Sequence, residues 1–420
     1  MAKEKYLIIG DGIAGATAAE TLRSRDADSE IAIITNEGEP LYNRVMIKDY
    51  AKGEKEEDKC KIHDVKWYTD RRIDLHLYTT VAMVDDKNKV VICEDGSRFD
   101  YTKLLVATGG TPRKYPVPNG QADGVYNFWT FADARAIRAA AQEAKHGVAI
   151  GAGLLGIDLA VIFAKNKVPT KYIMRGNRWW REGINKEGSE IVEKALADMG
   201  VECLFFETPT EFRVDDRNHV RGLVTDKGKE YPADIVGVAI GLNMNLRPVA
   251  SSNVKTGEGI LCDQFLRTSV PDVWAAGDIA QYFDPLLNRL NINGSWASAK
   301  RQGEVAALNM LQASTGIGEP TPFEFVDTYT ISHFKFPVMS VGNIMGDEFT
   351  EAVVGEGAYR RLVFKDNKLI GAVLIGDAKA LPHLKKIVIG RIDCTNLKQE
   401  FLKADFDFKG LAASVKVNPA

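Results

Sequence analysis

Two six-residue stretches of this chain, Gly10-Asp11-Gly12-Ile13-Ala14-Gly15 and Gly151-Ala152-Gly153-Leu154-Leu155-Gly156, share the spacing G-x-G-x-x-G. The three glycines act differently. The first permits a tight turn, the second lets backbone approach a pyrophosphate, and the third lets a helix pack closely on a strand. The helix that follows then offers the anion free N–H groups and the positive end of its dipole. Such a fingerprint needs a strand before it and a helix after it. "YLIIG" runs into "ATAAETLRS", and "GVAIG" into "LLGIDLAVIFAKN". Second apolar strands, "EIAIIT" and "TKYIM", complete a β-α-β unit in each case, so the chain carries the same nucleotide-binding unit twice. Glu37 stands shortly after the second strand of the first unit, where a carboxylate accepts adenosine ribose hydroxyls. The second unit has Arg175 there, with Arg178 and Arg181 behind it. Guanidinium groups suit a 2′-phosphate and hence NADPH; the alternative is a solvated basic loop beside a pocket that takes NADH through backbone contacts. Two such sites imply one flavin dinucleotide and one nicotinamide dinucleotide.

The elements around these motifs follow from the rest of the sequence. A chain of 420 residues exceeds one ordinary core and implies two or three domains. A net charge of -3 recruits no nucleic acid, and 45% hydrophobic content without a long apolar run describes a globular chain rather than a membrane span. The five cysteines, Cys60, Cys93, Cys203, Cys262 and Cys394, stand singly, which leaves no zinc or iron–sulfur spacing and makes each a small apolar side chain. "MAKEKYLIIGDG" enters its strand at once, without room for a signal peptide, so the cytoplasm is expected. Between the two units, "KVVICEDGSRFDYTKLLVATGG" reads as strands around an Asp95-Gly96 turn. "YPADIVGVAIGLN" and "TSVPDVWAAGDIA" read as further apolar strands, and "ASTGIGEPTPF" (313–323) as a linker. Beyond it, "YRRLVFKDNKLIGAVLIGD" alternates like antiparallel strands around Asp366-Asn367, while "ALPHLKKIVIG" and "LKQEFLKA" read as helices.

With both fingerprints, "LLVATGGTPR" (104–113), "TSVPDVWAAGDIA" (268–280) and "WASAKRQGEVAALNM" (296–310) in this order, the chain resembles the FAD-dependent pyridine nucleotide oxidoreductases. It is most similar to the rubredoxin reductases and to the FAD/NAD-binding part of NADH-dependent nitrite reductases; in length and architecture it also resembles the FAD subunit of tungsten-dependent aldehyde oxidoreductases. The resemblance implies an α/β fold with two Rossmann-like domains, glutathione-reductase-like, plus a small α+β C-terminal domain. The expected boundaries are 1–117 and 245–321 for FAD, 118–244 for NAD(P), and 322–420 for a C-terminal interface domain. By the same resemblance, Ala107-Thr108-Gly109 turns beside the FAD pyrophosphate, Asp278 after Gly277 bonds the ribityl chain, Arg44 helps hold FAD, and Gly241 lies near the nicotinamide. Where many relatives carry a Cys-x4-Cys pair, this chain has "PLYNRVMIKDY" (40–50), with no thiol in it. The resemblance instead offers Lys48 and Asp158 as the catalytic pair, a cation near the flavin stabilising the reduced ring. Members with a lysine near the flavin place it one residue later, at Asp49 here, and carry glutamate where this chain has Asp158.

Without a dithiol, electrons must pass to a separate redox partner, an iron–sulfur protein or a larger oxidoreductase complex. A stand-alone NAD(P)H oxidase reducing oxygen or quinones is the enzyme alternative, and an NADH-sensing flavin-binding interaction protein the non-enzyme one. The C-terminal segment is expected to offer the docking face, with His333, Lys335 and Phe336 of "SHFKFP" as its exposed candidates; the alternative for that stretch is a simple core turn.

Overall fold

The computed structural model describes residues 3–284 and 287–415. Residues 1–2, 285–286 and 416–420 lie outside it, and with them the extreme ends of segments 1–117 and 322–420 and a short part of 245–321. The chain divides into two compact units, one of Met1–Met46, Glu56–Thr111 and Leu242–Phe325, the other of Ile47–Lys55, Pro112–Gly241 and Val326–Ala420.

The first unit is built on a five-stranded sheet in the order Val273–Ala275, Lys103–Val106, Lys5–Ile9, Glu30–Ile34, Ile73–His76, all parallel. Its central strands are unbroken apolar runs, "LLV" and "YLII", because both faces of a parallel sheet are covered; Leu104, Leu105, Val106 and Ile8 are fully buried. Helix Ile13–Arg25 follows the first fingerprint and crosses helix Trp296–Thr315. The crossing is close because a Cβ on Gly303 would lie 2.1 Å from the Ala14 carbonyl oxygen. The second helix runs on through Ala313, Ser314 and Thr315, the start of the expected linker, and stops at left-handed Gly316, whose N–H returns to the Gln312 carbonyl. The end of that linker is not free either: Phe323 is buried against Tyr282.

The second unit holds another parallel sheet, Val201–Phe205, Thr170–Met174, Gly147–Ile150, Ile235–Val238, Val125–Asn127. It also holds a five-stranded antiparallel sheet, Thr328–Ile331, Val338–Gly342, Lys368–Ile375, Ala358–Lys365, Glu348–Gly355. The Asp366-Asn367 turn links two strands of that sheet with both residues at positive φ, the two-residue hairpin expected. Tyr359 joins the two layers: its hydroxyl accepts the Asn185 N–H (3.2 Å) and its ring covers Gly188 at the start of helix Lys186–Ala197. "ALPHLKKIVIG" is helical over Leu381–Gly390, but "LKQEFLKA" gives only a short turn at Glu400–Leu402. There Arg360 takes the carbonyls of Phe401 and Lys403, and Phe401 is sunk among Phe364, Phe406 and Phe408. Tertiary contacts thus claim the groups a continuing helix would need.

The short segment Ile47–Lys55 joins the second unit through specific contacts. Asn166 Nδ2 donates to the Ala51 carbonyl at 2.9 Å, Lys165 pairs with Glu54 at 3.0 Å, and Tyr50 packs on Phe131. This is what carries Lys48 to helix Leu154–Lys165.

Gly303→Ala forces the two helices of the first unit apart, since its methyl group meets main chain rather than a movable side chain. A loss of about 1–3 kcal/mol is expected, read as a lowered urea midpoint at unchanged slope; an unchanged midpoint would contradict the crossing described here.

Candidate dinucleotide and redox site

In both fingerprints the first and third glycines are demanded by the protein itself. A Cβ at Gly10 would lie 2.3 Å from the Ala107 carbonyl oxygen, and one at Gly15 1.9 Å from that of Gly10. The second unit repeats this with Gly151 against the Ala239 oxygen (2.0 Å) and Gly156 against that of Gly151 (2.0 Å). Gly10 and Gly151 also have φ of +109° and +123°. The middle glycines differ from these. Gly12 and Gly153 have ordinary backbone angles, φ −72° and −99°, and a Cβ on either would meet nothing within 4 Å. Neither packing nor strain calls for glycine there. Both also serve as N-caps without a side-chain hydrogen bond, unlike Thr130, Asn185 and Ser295, which cap their helices. The first N–H groups of both helices are left to an anion. Ala14 is buried behind the turn, while Leu154 and Leu155 are half-exposed at the start of their helix.

Around the first fingerprint the structure gathers the remaining residues expected to hold FAD. Ala107 runs beside Gly10, and the Ala107-Thr108-Gly109 turn is clamped by Asn245, whose Nδ2 donates to the Thr108 carbonyl (2.8 Å) and whose N–H donates to that of Gly109 (3.0 Å). Gly277 lies against Ala14, its N–H held by the buried Gln302 Oε1 at 2.8 Å. Glu37 is engaged on both oxygens, by Arg44 Nη2 at 2.7 Å and by the Tyr42 hydroxyl at 2.5 Å. Asp278 is half-buried and its carboxylate receives no side-chain donor among the described residues. Enclosure by protein pushes its pKa up to about 6, with the Arg44 guanidinium pulling the other way. A carboxylate so enclosed and without a side-chain donor fits the hydroxyls of a polyol. Sequence reading missed Asp11. It is buried between Gly10 and Gly12, bonded to the Tyr68 hydroxyl at 2.8 and 2.9 Å, and burial raises its pKa to about 8. In neutral form it adds no negative charge beside a pyrophosphate. The signal was a carboxylate inside a phosphate fingerprint, where a charge of that sign is out of place.

In the second unit Gly153 is steadied through its carbonyl, which accepts Trp179 Nε1 at 3.3 Å and the Tyr172 hydroxyl at 3.5 Å. The three arginines of the following loop separate into different roles. Arg178 binds the carbonyls of Ile184 and Arg181, and Arg181 pairs with Glu182. Arg175 is exposed and makes no hydrogen bond or ion pair among the described residues. Gly241, at φ +103°, accepts the Arg113 N–H on its carbonyl, with open space where a side chain would be.

Lys48 and Asp158 come together at 3.6 Å, with side chains 10% and 4% exposed. A third residue completes the cluster: His333 Nε2 donates to the same Asp158 oxygen at 2.5 Å. His333 is therefore not on an exposed docking surface; its side chain is 0% exposed, while Lys335 is exposed and Phe336 half-buried. Ile331 faces the interior from the end of its strand, and the period of two carries His333 inward after it.

Residues 4–303 match the pyridine nucleotide-disulphide oxidoreductase family and residues 330–392 the rubredoxin NAD+ reductase C-terminal domain. The chain is 26% identical over 416 residues to an assimilatory nitrate reductase electron transfer subunit of Bacillus subtilis, covering 96% of this chain but only 52% of that relative, about half its length. It is 26% identical over 395 residues to the ferredoxin–NAD(+) reductase component of a 3-phenylpropionate/cinnamic acid dioxygenase of Photorhabdus laumondii, covering 92% and 97% of the two chains. The fold is similar to that of a ferredoxin reductase of Rhodopseudomonas palustris, with a TM-score of 0.89 at 23% identity over 98% of this chain and 100% of the other.

Two outcomes follow from this geometry. Gly12→Val should cost the ligand-free protein no more than about 2 kcal/mol, the scale of losing a favourable N-cap residue, and abolish flavin binding, measured by denaturation and by titration with FAD; a larger loss of stability would mean that Gly12 serves packing. Asp11 holds its proton more tightly folded than unfolded, so its contribution is complete below about pH 4 and is lost as pH rises through about 8. Asp11→Asn should therefore flatten the alkaline decline of stability in urea titrations run from pH 4 to 9. Parallel curves for the two proteins would show that Asp11 does not titrate in this way.

Proposed function

The chain belongs to the pyridine nucleotide-disulphide oxidoreductase family, and from that premise we propose that it is a cytoplasmic FAD-dependent NAD(P)H oxidoreductase passing electrons to a separate iron–sulfur protein or redox complex. The observation that carries this reading is the pair of glycine cradles, each with a middle glycine that neither packing nor strain calls for. We assign FAD to the first unit, where Glu37, Arg44 and Asp278 are preset around the cradle, and the nicotinamide dinucleotide to the parallel sheet of the second. The antiparallel sheet beyond residue 322 is the part we assign to partner docking.

Bound FAD supplies the conversion between a hydride taken from NAD(P)H and electrons released to the partner. The chain's residues do the rest. The helix starts at Ile13 and Leu154 would bind pyrophosphates, Glu37 and Arg44 would orient an adenosine ribose, and Asp278 would accept from a ribityl hydroxyl. Lys48, held by Asp158, is the cation that offsets negative charge arriving with the electrons. No dithiol shares in this. All five cysteines are free, four of them buried, and burial pushes the Cys203 thiol up to about 12, far from the thiolate that exchange requires.

The reading is tested by anaerobic mixing with NADH or NADPH, which should bleach a bound flavin. The bleached protein should then reduce an iron–sulfur protein co-purified from the native host, an aldehyde oxidoreductase complex among the partners this would reveal. Turnover with oxygen as fast as with any protein acceptor would point instead to an oxidase, and a flavin that NAD(P)H never bleaches to a sensor. Arg175 is the one arginine of its loop free to meet a 2′-phosphate, so Arg175→Glu should lower kcat/KM for NADPH on the order of ten- to a hundredfold, the scale of one charge-assisted contact, and change that for NADH far less. Equal losses with both cofactors would remove Arg175 from that role.

A further inference from the structure

Lys48, Asp158 and His333 form a buried row with an unusual end. Asp158 Oδ1 accepts a hydrogen bond from His333 Nε2 at 2.5 Å and is ion-paired with Lys48 Nζ at 3.6 Å. The other imidazole nitrogen, Nδ1, is buried and has no hydrogen-bond partner. Tyr172 and Tyr329 also sense Asp158, and both are held protonated well above their ordinary range, by burial first and by the Asp158 charge as a lesser cause. Neither supplies a proton under physiological conditions. If His333 were an imidazolium, Nδ1 would be a buried donor with nothing to bond and the row would hold two cations for one anion; both conditions are costly in a dry site. The favoured state is Lys48⁺, Asp158⁻ and a neutral imidazole with its hydrogen on Nε2, leaving Nδ1 as a bare lone pair.

We propose that His333 is the positioning residue that fixes the Asp158 carboxylate for Lys48, and that its Nδ1 takes up one proton when an electron pair arrives at the Lys48 end of the row. This rests on the flavoenzyme reading above. The balance is simple. NAD(P)H leaves as NAD(P)⁺ after giving a hydride, which carries two electrons and one proton; the second proton comes from solvent and forms an N–H bond at Nδ1. The row gains one positive charge against the negative charge delivered, and when the two electrons depart to the partner both protons return to solvent.

The test uses the flavin-loaded protein reduced with dithionite and mediators, so that it does not depend on nicotinamide. Each proton taken up per electron pair moves the midpoint potential by about 30 mV per pH unit. From pH 7 to 8.5 the wild type should follow two protons, and His333→Gln, which keeps a donor for Asp158 but cannot bind a proton, should follow one. A one-proton slope in the wild type, or the same slope in both proteins, overturns the proposal, whereas a failure of NAD(P)H to reduce the flavin would count only against the function proposed above. Nitrogen NMR of ¹⁵N-histidine-labelled protein, with His333→Gln assigning the signal, provides a second readout that needs no flavin. A protonated Nε2 and a bare Nδ1 are expected; a protonated Nδ1 in the oxidised or flavin-free protein overturns the proposal, as does loss of the signal difference between the two proteins. Matching melting temperatures of variant and wild type establish that the variant folds.

Discussion

Backbone packed directly on backbone is the constraint on which both nucleotide units depend. Where the first strand of each unit ends, the neighbouring strand's carbonyl lies so close that no side chain fits, at Ala107 over Gly10 and at Ala239 over Gly151. Each helix then folds back until its third fingerprint glycine rests on the carbonyl of the first. That proximity aims the helix N-terminus at the sheet's edge, where strand ends and free N–H groups meet. In the first unit the constraint extends one layer further, because Gly303 lets helix Trp296–Thr315 settle on Ala14 and brings Gly277 and Asp278 to the same turn. A methyl group at any of these contacts would move backbone, and the phosphate-binding surface with it.

Charge is arranged around these cradles according to how well each group is bonded. Glu37 has a cation and a hydroxyl on its two oxygens. Asp11 has the Tyr68 hydroxyl and the Leu41 backbone against the larger cost of burial, which pushes its pKa up to about 8. Both are acids of the same unit, separated by their depth as well as by their partners: Asp11 is buried, while the Glu37 side chain is 30% exposed. Asp158 is more buried than Glu37, yet Lys48 and His333 both face it. A lone carboxylate at 4% exposure would bear a large desolvation cost; two nitrogen donors offset it and fix its direction.

The parts of this site that are local in sequence were legible, and those made by distant pairing were not. Glycine spacing with flanking apolar strands identified both cradles, since turn, close approach and helix start are decided within six residues. The family pattern supplied Lys48 and Asp158, which no local rule could join across more than a hundred positions. His333 lies 175 residues from Asp158, and "SHFKFP" reads as a polar, aromatic turn suited to a surface. Only its even spacing from Ile331 marked it as inward-facing. "LKQEFLKA" failed as a helix for a similar reason: its composition favours one, but Arg360, from a strand some forty residues earlier, binds the carbonyls a helix would use. The arginines after Thr170–Met174 looked alike in sequence, and only folded geometry shows that Arg178 ties the loop while Arg175 stays free.

The duplicated unit has thus diverged where an adenosine would be read. In the first copy the acid is locked, with Arg44 and Tyr42 holding Glu37 and Arg44 in turn acting on Asp278. A ligand meeting side chains already held in place would order little and retain most of the contact energy as affinity. The second copy offers an exposed Arg175 without partners among the described residues, whose rotamer freedom is surrendered only when a ligand is present, at a cost of up to about 2 kcal/mol. A preset site retains its ligand and an unset one exchanges it. The same fold element can therefore serve once for a resident cofactor and once for a substrate that leaves after every turnover.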